Sequence, residues 1–255
     1  MKRIKHLLLA GFAVPFFFAS QHGYAATLAG TVMEIQGEVL VADKPVDKKS
    51  DIYEGDSITS GGDGELLVRM TDGTTVAVRP NSVLKVDQYH FENDLKKSGD
   101  NNFLVRLLKG GMRTVTGLIG KRNPKNFKVA TPTATIGVRG TDFEVAVVDQ
   151  DKSGAEAGTY NKVFDGATFL ENSLGSRVEI GAGQVAFSPL DALQAAKRFG
   201  LLKQVPDVFF KGSYDNLLNA LQDEAFNRLN SQLGGKLPSE LRNMLPKLGD
   251  LFKSQ

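Results

Sequence analysis

From Thr31 to about Phe187 the apolar positions recur at every second residue in short runs, with glycine and Asx residues between the runs. The alternation is plain in Val39 and Val41 after Gly37, in Leu66, Val68 and Met70, in Val76 and Val78, in Phe143, Val145 and Val147, and in Val178 and Ile180. A period of two places each set on one face of a strand, with the intervening polar residues on the other. Long helical periodicity is absent from this region, so the pattern predicts a mainly β domain of many short strands. Such strands stack as a β-roll or solenoid, or close as a sandwich.

The segment Gly64 to Pro80 permits a sharper expectation. Asp72-Gly73 looks like a two-residue hairpin turn, but that loop would pair Val68 with Ala77 and send the two apolar sets to opposite faces. A three-residue loop, Thr71-Asp72-Gly73, with a type I turn and Gly73 left-handed, pairs Val68 with Val76 and Leu66 with Val78. Register favours the second arrangement if the runs pair at all. The alternative is a turn joining different layers of a roll.

At Ser188-Pro189 the β pattern stops, and serine as N-cap with proline at the first helical position predicts a helix ending at Gly200. A second helix is expected after Ser213, with Tyr214, Leu217, Leu218, Leu221, Ala225, Leu229 and Leu233 on one stripe. A third is expected from Pro238, presenting Leu241, Met244, Leu245, Leu248 and Leu251. This helical tail either docks on the β domain or on itself, or serves a partner or self-association contact.

The first residues alter the picture of where the chain works. Lys2, Arg3 and Lys5 form a basic start, Ile4 to Ala19 is nearly all apolar, and Gly23-Tyr24-Ala25 has the small-x-small form of a cleavage site. The expectation is a signal peptide over residues 1–25, a β domain over 26–187 and a helical region over 188–255, in the periplasm or secreted. The apolar run is short for a span and is broken by Pro15, and no later segment is apolar enough to cross a bilayer. Without the three leader cations the balance is 28 basic against 29 acidic residues, so the slight basicity of the whole chain belongs to the leader. Nucleic-acid binding then lacks its electrostatic motive. With no cysteine there is no disulfide, lipid anchor or thiolate site, and His90 is the single histidine outside the leader. Common multi-histidine zinc sites are thereby excluded, and no cofactor is expected.

Gly55-Asp56-Ser57-Ile58-Thr59-Ser60-Gly61, Gly64, the run Leu66 to Met70, Asp72-Gly73-Thr74 and Val76-x-Val78-x-Pro80-x-Ser82 resemble the core signature of FecR domains. Leu108-Lys109-Gly110-Gly111 and Phe127-x-Val129-x-Thr131-Pro132-Thr133-Ala134-Thr135-Ile136-Gly137-Val138-Arg139-Gly140-Thr141-Asp142-Phe143 are similar to the family's second block, in the same order. Gly166 and Ile180-Gly181-Ala182-Gly183-Gln184 resemble the closing strands, so the likeness covers most of Ala29 to Phe187. The resemblance implies a FecR-type β fold that receives signals in the periplasm beside an outer-membrane transporter. The family's founding members add a transmembrane helix and a tryptophan-bearing, sigma-binding cytoplasmic segment. This chain has no tryptophan, and only the leader precedes its β domain, so direct sigma-factor regulation is not carried over. What is carried over is an envelope interaction or scaffold module whose partner is an envelope protein. The alternative is a peptidoglycan or polysaccharide binder.

Within the motifs, Asp56 and Asp72 are expected as turn acceptors, Gly73 as a left-handed turn residue, and Arg139 with Thr141 as a structural clamp. Between Asn101 and Thr141 there is no acidic residue, but Arg106, Lys109, Arg113, Lys121, Arg122, Lys125, Lys128 and Arg139 are all present, with acidic flanks from Asp51 to Asp72 and from Asp142 to Glu156. Two readings follow: pairing between neighbouring strands, or a basic patch from Arg106 to Lys128 that meets an acidic partner or anionic polymer. Catalysis is not expected. His90 lacks a nucleophile elbow, no carboxylate pair has a recognisable setting, and Gly61-Gly62-Asp63-Gly64 lacks the frame of a nucleotide loop. An envelope hydrolase is the remaining enzymatic alternative.

Overall fold

The computed structural model describes residues 26–94, 98–150 and 155–221, so the leader, the third tail helix and most of the second lie outside the described residues. The described residues form a mainly β structure of seventeen strands: β1 (Leu28–Gln36), β2 (Val39–Val41), β3 (Lys44–Pro45), β4 (Asp51–Tyr53), β5 (Ser57–Ser60), β6 (Glu65–Met70), β7 (Thr75–Val78), β8 (Val83–His90), β9 (Asn102–Val115), β10 (Phe127–Ala130), β11 (Ala134–Val138), β12 (Asp142–Val148), β13 (Gly158–Asp165), β14 (Ala167–Asn172), β15 (Arg177–Gly181), β16 (Val185–Pro189) and β17 (Gly200–Leu201). Short helices α1 (Leu118–Arg122) and α2 (Ala192–Arg198) interrupt them.

Hydrogen bonding divides the strands into two sheets that share β9. Sheet I runs β4-β1-β6-β7-β9-β12-β13-β16-β17, and sheet II runs β3-β2-β5-β8-β9-β10-β11-β14-β15. The first part of β9 pairs with β8 as far as Lys109, and pairing with β12 begins at Gly110, whose φ is +80°. One long strand thus crosses between layers at the Gly110-Gly111 pair.

The inward positions of both sheets form one cluster, including Val32, Leu66, Val68, Val76, Val78, Met112, Phe143 and Val145 from sheet I and Ile58, Leu84, Phe103, Leu107, Phe127, Ile136 and Leu170 from sheet II. Phe103 and Phe127 stack at 4.1 Å, a consequence of the parallel pairing of Phe103 with Phe127. The β6–β7 hairpin has the three-residue loop: Leu66 pairs with Val78 and Val68 with Val76, and Gly73 has φ +85°. Glycine serves there because a side chain costs energy at positive φ.

The tail starts differently from its sequence pattern. Ser188 and Pro189 continue β16 and pair with Thr159 and Gly158, so α2 is capped instead by Asp191, whose carboxylate accepts from Leu193 N at 2.8 Å. Residues 202–221, here called the strap, then cross the outer face of sheet I and end in helical backbone over 215–221.

Candidate functional site: two outer faces with opposite character

Sheet I carries an unusual load on its outer face. Arg79, 1% exposed, follows β7 and extends between three carboxylates: Nη1 donates to Glu65 Oε1 at 3.0 Å, Nε to Glu144 Oε1 at 2.9 Å and Nη2 to Asp215 Oδ1 at 2.7 Å. Arg113 on β9 holds Asp142 with two bonds, at 3.0 and 2.7 Å, and reaches Asp215 Oδ1 at 3.2 Å and Asn219 Oδ1 at 2.8 Å. The strap closes over this cluster with its backbone. Ser213 N donates to Glu65 Oε2 at 2.7 Å, and Gly212 N to Asp215 Oδ2 at 2.9 Å. A methyl group on Gly212 would overlap Arg79 Nη1 and Glu65 Oε1, so the strap can lie this close only with glycine at that position.

Two small apolar patches flank the ions. Leu67 and Ala77 receive Leu218, with Tyr214 and Leu217 beside them, and Ala146, Val148, Tyr160 and Phe187 receive Leu202, Val208 and Phe209. Burial by itself would lower the Arg79 and Arg113 pKa values. The facing carboxylates, Glu144 and Asp215 for Arg79 and Asp142 and Asp215 for Arg113, reverse that and hold both above the ordinary value. Burial likewise pushes Asp215 upward, but the two guanidiniums outweigh it and set Asp215 below its ordinary value.

Glu144 lies on the other side of the balance, since burial outweighs Arg79 and raises its pKa. A raised carboxylate favours the fold below its unfolded pKa and loses that contribution as pH rises through the folded value. Glu144→Gln keeps an acceptor for Arg79 Nε and removes the charge. The variant is therefore expected to melt at or above the wild-type temperature near neutral pH, with the difference vanishing as acid protonates wild-type Glu144. A pH series of thermal melts checks this; a loss at neutral pH that vanishes in acid would show that the charge itself is needed.

Sheet II carries exposed charged and polar side chains, Lys85, Gln88, Arg106, Lys128, Arg177 and Glu179, on its outer face. Register lines up Gln88, Leu104, Lys128, Gly137, Phe169 and Glu179 in one row across β8, β9, β10, β11, β14 and β15. The next row is Lys85, Arg106, Ala130, Thr135, Glu171 and Arg177. Gly137 leaves room for the Phe169 ring, and the Arg177 guanidinium stacks on that ring at 3.4 Å from its centre. Beside them a cleft of about 190 Å³ is lined by Lys125, Arg139, Phe169, Arg177 and Glu179.

The cationic stretch from Arg106 to Lys128 divides in three dimensions. Arg113 is buried in the sheet I cluster, Arg106 pairs with Asp87 at 2.7 Å, and Lys109 approaches Asp149 at 3.8 Å. Lys121 and Arg122 are half-buried at α1, whereas Lys125 and Lys128 are exposed. Arg139 is 74% exposed and lies 3.6 Å from Glu179, so it is not inside the fold as a clamp between glycines would be. Thr141 donates to Ala167 O at 2.9 Å and its N–H to Thr116 Oγ1 at 2.8 Å. Asp56 accepts from Tyr53 N at 2.8 Å, and buried Asp72 accepts from Thr74 N, Thr74 Oγ1 and Ile119 N. His90 is exposed. Sequence reasoning passed over Arg79, Gly212 and Asp215. Their signal was faint: an arginine ending an apolar strand, and a Gly-Ser-x-Asp turn before a leucine stripe.

Residues 56–167 match the family model described as FecR protein, so this stretch carries a FecR domain. Among solved structures the chain is similar to a "putative anti-sigma factor" from Parabacteroides distasonis ATCC 8503, solved at 1.65 Å and at 2.50 Å. In both cases the identity is 18%, the TM-score is 0.42, and 60% of each chain is covered. The chain thus spans less than two thirds of that protein's solved length. No curated protein matches it.

Proposed function

We propose, from the FecR domain at 56–167, that this protein is an exported, non-enzymatic interaction module of the bacterial envelope, acting in the periplasm in signalling or assembly. One observation carries the reading: the outer face of sheet I packs against the chain's own strap, whereas the outer face of sheet II leaves Lys85, Gln88, Arg106, Lys128, Arg177 and Glu179 exposed. That face carries Lys85, Arg106, Lys125, Lys128, Arg139 and Arg177 against Asp87, Glu171 and Glu179. Excess positive charge around a flat face with Leu104 and Phe169 at its middle suits an acidic protein surface with an apolar centre. Buried Glu65, Asp142 and Glu144 are engaged by arginines beneath the strap, and buried Asp72 by the β6–β7 turn and α1, which supports a role in contact over one in hydrolysis. The leader supports export.

Charge reversal tests this. Lys125→Glu, Lys128→Glu and Arg177→Glu together are expected to weaken capture of a crosslinkable envelope partner by about 1–3 orders of magnitude, with the melting temperature unchanged. If the wild-type protein instead sediments with purified peptidoglycan in a salt-sensitive way and captures no protein, the wall-binding alternative replaces this reading.

A further inference from the structure

We propose that the outer face of sheet I is a second recognition surface, a groove for a peptide segment carrying a carboxylate between two apolar anchors, and that the strap is its exchangeable occupant. This surface lies on the opposite side of the molecule from the outer face of sheet II and stands independently of that reading.

The groove is complete without the strap. Arg79 keeps Glu65 and Glu144, and Arg113 keeps both bonds to Asp142, all from the sheet itself or the turn after β7. Each guanidinium then has one nitrogen left over, Arg79 Nη2 and Arg113 Nη1, and both converge on a single point, the position of Asp215 Oδ1. Two fixed donors aimed at one oxygen make a carboxylate socket. The Leu67–Ala77 shelf lies on one side of it and the Ala146–Val148–Tyr160–Phe187 shelf on the other.

The strap fills this groove with apolar side chains that are mostly only half-buried. Leu218 is the single fully buried residue between 202 and 221, while Val205 and Phe210 are each 51% exposed. Leu202, Val208, Phe209, Tyr214 and Leu217 pack on the shelves while only partly buried, and the rest of the strap's hold is polar, which water or another carboxylate can replace. The connection through Lys203, Gln204, Val205 and Asp207 is exposed and supplies the hinge. A segment with little buried apolar surface opens at lower free energy than the core it covers. A partner segment with the same spacing of carboxylate and apolar anchors therefore competes with the strap for the socket.

The test uses the full chain. Asp215→Arg sets a cation against Arg79 and Arg113 and expels the strap. A labelled peptide of wild-type residues 207–221 is then expected to bind this variant at least about tenfold more tightly than it binds the wild-type chain, whose socket is filled. The same peptide with Asp215→Arg is expected not to bind. A second measurement holds even if that variant does not fold. The chain has no cysteine, so Leu218→Cys and Val76→Cys, one on the inner side of the strap and one in the core, each provide a single thiol. Thiol labelling at Leu218→Cys is expected to be faster by about 100-fold or more. Equal labelling rates, or peptide binding indifferent to Asp215, would overturn the proposal.

Discussion

Replacing Arg79 with leucine is expected to destabilise the protein by about 3–5 kcal/mol, the cost of removing one partner from a buried ion cluster. The side chain is nearly inaccessible, and its loss leaves Glu65 and Glu144 without their guanidinium and Asp215 with Arg113 alone. For a chain of this size the melting temperature falls by on the order of 10 °C. The penalty lies in the orphaned carboxylates and not in the lost attraction. Replacing Arg79, Glu65 and Glu144 together by apolar residues of similar volume is therefore expected to recover most of the loss. Thermal unfolding followed by circular dichroism decides it: a single-variant effect below about 1 kcal/mol would mean that water reaches the cluster and screens it.

The second large effect is expected at Asp72. This carboxylate, buried in the β6–β7 turn, accepts from Thr74 N at 3.0 Å, Thr74 Oγ1 at 2.8 Å and Ile119 N at 3.1 Å, with the Tyr89 hydroxyl at 3.3 Å. It ties the turn to the start of α1, where Gly117 N in turn donates to Thr74 Oγ1. Burial, more than the neighbouring charge of Asp72, pushes the Tyr89 pKa well up, so that hydroxyl remains a donor throughout the accessible pH range. Asp72→Ala leaves several buried donors unmatched and is expected to cost about 2–4 kcal/mol, against roughly 0.5–1.5 for Asp56→Ala, whose exposed turn rests on one bond. Chemical denaturation with an unchanged m-value measures both. Equal costs would show that the Asp72 bonds are matched by water in the variant.

Much of the β architecture was legible because strands follow a local rule. The choice between two turn lengths at Asp72-Gly73 rested on which pairing keeps Leu66, Val68, Val76 and Val78 on one face, and the observed register is that pairing. The helix expected from Ser188-Pro189 shows where local rules yield. Those residues carry cap and first-turn signals, but pairing with Thr159 and Gly158 extends β16 through them and moves the cap to Asp191. The cationic stretch divided for the same reason. Arg113 and Lys128 look alike in sequence, yet one lies under the strap and the other is exposed on sheet II.

The amino-acid sequence by itself determined the short alternating strands, the hairpin register and the FecR motifs, because each depends on residues within a few positions of one another. Only the tertiary structure decided which sheet face is covered. The Arg79–Glu144 and Arg79–Asp215 contacts span 65 and 136 residues, and the strap that buries them follows from neither composition nor periodicity. Long-range charge pairing depends on where strands far apart in the chain come to lie, and that is settled when the two sheets close on their shared core.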